Sequence, residues 1–97
     1  MRPYGYGLAI GREYVKVGSE AMKKGTYGIA GILFKRAIEY DPDLQIEIGR
    51  QYFELGKLYL DQQQNSTADR LFAIAVRHDP SLCEEIISSI SSKKGRD

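Results

Sequence analysis

Apolar residues recur along this chain at three- and four-residue intervals, the spacing of helices with one buried side. Tyr14, Val17 and Ala21 start such a stripe, which runs through Lys24 and closes at Gly25, a residue able to take the left-handed conformation that ends a helix. Thr26 is the expected N-cap of the next helix. There Ile29, Ala30, Leu33, Phe34, Ala37 and Ile38 form a broad apolar face. Asp41-Pro42 stops it, because the residue before proline is pushed out of the helical region.

A third helix is expected from Pro42 or Asp43 through Ile46, Ile48, Tyr52, Leu55, Tyr59 and Leu60 to about Asp61. The polar run Gln62-Gln63-Gln64-Asn65 is the turn, and Ser66-Thr67-Ala68-Asp69 reads as a capping box for a fourth helix. That helix carries Leu71, Phe72, Ile74, Ala75 and Val76 and stops at Asp79-Pro80. Ser81-Leu82-Cys83-Glu84 reads as a further capping box, opening a fifth helix through Ile86, Ile87 and Ile90. No segment alternates with period two, so the expected fold is all-α, about five helices arranged as two helical hairpins and a closing helix.

The pattern repeats. Ile10-Gly11-Arg12 and Tyr14 return as Ile48-Gly49-Arg50 and Tyr52, and Gly18 returns as Gly56. At the same offset of 38, Ala30, Leu33, Phe34 and Ala37 become Ala68, Leu71, Phe72 and Ala75, and Asp41-Pro42 becomes Asp79-Pro80. These identities fall on Gly, Ala, aromatic and Pro positions, which fix helix approach and helix ends. Repeat 1 spans about 8–42, repeat 2 about 43–80 and a capping helix about 81–92, with 1–7 expected as a flexible arm and 93–97 as a disordered tail. Ile86 aligns with Ile10 and Ile48, so the last helix reads as a truncated third repeat.

An aromatic residue, a bulky apolar residue three on, Gly, then Ala-x3-Phe-x2-Ala and a closing Pro resembles the tetratricopeptide repeat. Tyr14, Val17, Gly18, Ala21, Ala30, Phe34, Ala37 and Pro42 carry the resemblance in the first repeat. Tyr52, Leu55, Gly56, Tyr59, Ala68, Phe72, Ala75 and Pro80 carry it in the second. The family period is about 34 residues. The four extra residues here fall between Pro42 and Tyr52, and would lengthen the long helix by about 6 Å. Gln63 and Asn65 stand where the family has a turn Gly and a following Tyr.

The resemblance implies a stack of hairpins that binds a peptide or helix on the concave face of each first helix. Carried over by position, that face comprises Arg12, Val15, Ser19 and Met22, and then Arg50, Phe53, Lys57 and Leu60. Apolar side chains beside cations suit an amphipathic helix with acidic flanks, with Phe53 and Met22 as anchors. Val15 and Ser19 occupy the places of the family's carboxylate clamp, so a chaperone C-terminal tail is a poor ligand. Gly25, Gly28 and Gly31 recur every third residue, which suits either close approach of another backbone or a locally weak helix start.

Charge and composition narrow the function. With 14 Lys+Arg against 13 Asp+Glu, the balance shows no nucleic-acid signature. Residues 1–40 hold seven Lys or Arg and three Asp or Glu, a net +4, and residues 41–97 hold seven and ten, a net −3. One Cys and one His give no disulfide and few metal ligands, so no cofactor or metal is expected. Cys83 is expected to pack, and His78 to sit at a helix end where a cation suits the dipole. No membrane span and no signal-peptide core is visible, so the expected setting is cytoplasmic. The sum is a non-enzymatic protein-interaction module, an adaptor, scaffold or assembly factor. The alternative is a self-associating structural protein, a homo-oligomer whose repeats stack between subunits.

Overall fold

A computed structural model describes residues 4–95, with side chains described for 7–92. Five α-helices account for nearly all of it: α1 (Tyr4–Lys23), α2 (Tyr27–Tyr40), α3 (Leu44–Asp61), α4 (Asn65–His78) and α5 (Cys83–Gly95). The described residues contain no strand. The chain forms two compact units, Met1–Gln45 and Ile46–Asp97, each built on one hairpin.

In the first unit, α1 lies against α2 over glycines. A Cβ on Gly18 would fall 2.7 Å from Phe34 Cε1, and one on Gly11 would fall 3.3 Å from the Ala37 carbonyl oxygen. Phe34 therefore sits directly on the α1 backbone, flanked by the buried Ala30 and Ala37. Gly25, at φ +87°, closes α1: its N–H bonds to Met22 O at 3.0 Å, and the Thr26 N–H reaches back to Ala21 O at 2.9 Å. This is the paired-bond helix ending that favours glycine. Thr26 occupies the N-cap position of α2 but makes no side-chain cap. Its hydroxyl donates instead to Ala21 O at 2.8 Å.

The second unit repeats the glycine–phenylalanine and glycine–carbonyl contacts. A Cβ on Gly56 would lie 2.6 Å from Phe72 Cε1, and one on Gly49 would lie 3.1 Å from Ala75 O. The turn is the same, with Gln63 at φ +64°, Gln63 N–H on Leu60 O at 3.0 Å and Gln64 N–H on Tyr59 O at 2.9 Å. Gln63 thus adopts the left-handed turn that Gly25 adopts in the first unit, at a backbone cost for a residue with a Cβ.

Asp41 and Asp79 play matching parts as well. Asp41 Oδ1 accepts the Asp43 N–H at 3.2 Å, and Asp79 Oδ1 accepts the Ser81 N–H at 3.1 Å. Each is followed by a buried leucine, Leu44 and Leu82.

Several sequence expectations are corrected at the element ends. α1 begins at Tyr4, so 4–7 is helix rather than arm; residues 1–3 lie outside the described part. A Cβ added at Gly7 would lie 3.7 Å from Tyr40 O, an ordinary van der Waals contact. α3 starts at Leu44 rather than Pro42 or Asp43. α4 starts at Asn65, which places Ser66 and Thr67 inside its first turn rather than at the cap. Asp79, not Ser81, caps the last segment, which opens with a 3-10 turn over Pro80–Leu82. Asp79 wins because its carboxylate accepts from both the N–H and the hydroxyl of Ser81, the latter at 2.7 Å. α5 continues through Gly95, so 93–95 is helical, and 96–97 lie outside the described residues. Cys83 is exposed, because Leu82 and Ile86 take the inward positions.

Where Tyr14 stacks on Tyr40 at 5.9 Å in the first unit, Tyr52 stacks on His78 at 6.0 Å in the second. Burial, and then the charge of Arg77, hold the His78 imidazole below its ordinary value. The cation that a helix end would favour is therefore disfavoured here. The unfolded chain binds this proton more readily than the folded one, so His78 contributes stability above about pH 6.5 that is lost on acidification below it. His78→Tyr copies the first unit. In thermal melts it is expected to shrink the drop in midpoint between about pH 7.5 and about pH 5.5. An unchanged drop would assign the acid sensitivity to other groups.

Candidate functional site

The eight candidate partner-contacting residues divide sharply by exposure. On α1, Val15 and Met22 are buried, Ser19 is half-buried and Arg12 is exposed. On α3, Phe53 is buried, Lys57 and Leu60 are half-buried and Arg50 is exposed. The two residues expected to anchor a partner, Phe53 and Met22, are thus core side chains in this structure.

Phe53 shows why. Its ring lies 6.0 Å from that of Phe72, between α3 and α4, and it is only 2% exposed. Arg50 and Lys57, one turn to either side, lie over the same ring, at 5.4 and 4.9 Å from its centroid. The closing helix reaches this face. Arg50 Nη1 and Nη2 donate to the two Glu85 carboxylate oxygens at 3.1 and 3.0 Å, a bidentate pair that raises the Arg50 pKa further. Lys57 pairs with Glu54 at 3.5 Å. A shallow depression of about 390 Å³ remains beside Phe53 and Lys57, walled by Glu84, Glu85, Ser88 and Ser89 of α5. The α3 stripe therefore already carries an amphipathic helix with acidic residues, and that helix is the chain's own α5. Arg50 and Glu85 are each about half exposed, so their pair adds little to stability.

The first unit offers a different surface. Ile10, Tyr14 and Val17 of α1 and Leu33 of α2 line an apolar groove of about 460 Å³, with Ala9 and Glu13 at its edge. Ile10 is 38% exposed and Val17 47%. In the second unit the matching positions are Ile48, at 0%, with Tyr52 and Leu71 buried and Leu55 half-buried. The same four positions of one repeat are thus closed in one unit and open in the other. Sequence reasoning placed Ile10 and Val17 only as repeat markers. Nothing in either residue type separates an open position from a closed one, since Ile10 and Ile48 are identical.

Among the described residues, no cluster of three His, Cys, Asp or Glu side chains is placed to hold a metal ion, and no helix is long and apolar enough to cross a membrane. No protein-family model, curated protein or solved structure matches the chain.

Proposed function

We propose that this chain is a non-enzymatic protein–protein interaction module of tetratricopeptide type. It would serve as an adaptor, scaffold or assembly factor that holds an amphipathic helix or peptide of another protein. The glycine-under-phenylalanine crossings of both hairpins support the family reading. The observation that carries the function is the open groove of Ile10, Tyr14, Val17 and Leu33, whose counterparts in the second unit are closed. An exposed apolar strip on a helical hairpin suits the apolar face of a helix. The net +4 of residues 1–40 favours acidic flanks on that partner. Arg12 and Ser19 of α1 do not line this groove, and Arg50 and Lys57 of α3 are engaged by Glu85 and Glu54. A cytoplasmic setting suits a chain whose single cysteine is exposed and unpaired.

Panning a displayed peptide library on the full chain tests this. Recovered peptides are expected to share apolar residues at helical spacing with Asp or Glu beside them. Val17→Lys is expected to weaken their binding by about tenfold or more, the scale of a lost interface anchor. Peptides indifferent to Val17→Lys would overturn the assignment of the groove.

A further inference from the structure

The outward face of α2 differs in kind from that of α4, although both helices occupy the same place in their repeats. Ile29 and Ile32 stand 56% and 62% exposed. Their counterparts at the offset of 38 are Thr67 and Arg70, and Gly28 and Gly31 correspond to Ser66 and Asp69. The repeat fold is therefore satisfied by polar residues at all four positions, and the apolar ridge of α2 is an addition to it. A Cβ on Gly28 would meet nothing within 4 Å, so no close approach inside the chain calls for that glycine.

The charge at the C-terminal end of α2 also runs against its dipole. Its first turn carries no acid and no side chain caps it, while Glu39 sits near its C-terminal end with no basic residue in the last turn. α4 shares the acid-free, uncapped first turn but differs at its other end, with Arg77, the counterpart of Glu39, and His78 in its last turn. Carboxylates are favoured at helix N-termini and disfavoured at C-termini. An antiparallel neighbour corrects both ends at once.

We propose that the chain self-associates as a two-fold dimer in which α2 packs antiparallel on α2 of a second molecule. A two-fold axis at Ile32 sets Ile32 against itself. It places Ile29 against the aliphatic stem of Lys35 in the second molecule, and Gly28 where the long side chain of Arg36 needs room. Glu39 then reaches the uncapped N-terminus of the opposing α2, beside Lys24 and Gly25 of its turn. The ridge is complementary to itself under one rotation, which is what an isologous interface requires. The assignment is independent of the partner groove on α1, because Ile29 and Ile32 do not line it.

The experiment is absolute mass by light scattering and sedimentation on the full chain, from about 5 to about 500 µM, where a small interface of one helix pair would titrate. Wild type is expected to rise toward twice the monomer mass. Ile29→Thr with Ile32→Arg transplants the residues α4 carries, and is expected to leave a monomer of unchanged helicity. Glu39→Lys leaves the apolar ridge intact and is expected to weaken the dimer about tenfold or more. In a Cys83→Ser background, Ile32→Cys is expected to cross-link to itself under mild oxidation, and Glu47→Cys is not. A wild type that stays monomeric across the range overturns the proposal. So does a dimer unaffected by either the double substitution or Glu39→Lys, which would place the contact on another face. Neither result bears on peptide binding at Val17, so the two readings fail separately.

Discussion

Phe72→Ala is expected to cost about 3–5 kcal/mol of folding free energy, the range for truncating a large buried aromatic ring. The ring is buried, packs beside Phe53, and covers the α3 backbone at Gly56. Small domains hold about 5–15 kcal/mol in total, so the loss should show as a large fall in denaturation midpoint. A second substitution sharpens the test. In wild type, Gly56→Ala sets a methyl about 2.6 Å from Phe72 Cε1, and the ring must shift. Crowding of this kind costs about 1–3 kcal/mol. The better helix propensity of alanine returns only about 1 kcal/mol. Gly56→Ala is therefore expected to destabilise wild type. In the Phe72→Ala background the clash is gone, and the same substitution should stabilise. A double-mutant cycle from urea titrations reads that reversal directly. Additive effects would mean that Gly56 and Phe72 do not meet, and the hairpin crossing would be wrong.

Much of this crossing was legible in the chain, because geometry there is carried by residues with few alternatives. Gly18 and Gly56 admit a ring, Gly25 takes a positive φ, and Asp-Pro ends a helix by sterics alone. Helix ends fixed by local hydrogen bonds were less legible. Ser66 and Ser81 both look like caps, yet Gln64 and Asp79 occupy the cap positions. At Asp79 the choice turns on which oxygen reaches the free N–H once the proline has bent the chain, and residue type alone does not say. The candidate site was legible only as a stripe. Periodicity assigns Phe53, Arg50 and Lys57 to one side of α3, and the structure keeps them together around one ring. Whether that side faces solvent depends on where α5 goes, a matter of long-range packing. The hint lay in charge, since Glu84-Glu85 is the acidic flank that Arg50 calls for. The contrast between Ile29, Ile32 and Thr67, Arg70 was also present in the sequence. It carries meaning only once the isoleucines are seen to be exposed.

Phe53→Glu separates the two ways of reading that stripe. Were Phe53 an open anchor, the substitution would spare the fold and remove only binding. The structure predicts the reverse. Loss of a side chain that is 2% exposed costs about 3–5 kcal/mol for the ring alone. The incoming carboxylate can be charged only by reaching Lys57 or Arg50 one turn away, which draws it out of the core and leaves the space beside Phe72 empty. Arg50 would then be shared between Glu85 and the new carboxylate, loosening α5 as well. Circular dichroism and urea titration should show a large loss of stability, with the second hairpin and α5 failing together, since Phe53 belongs to the core they share. Phe53→Leu, which keeps an apolar filling, should lose much less. If Phe53→Glu instead melted like wild type, the ring would have to leave the core at little cost. Phe53 would then return to the partner-binding surface, and α5 would be a displaceable cover rather than part of the fold.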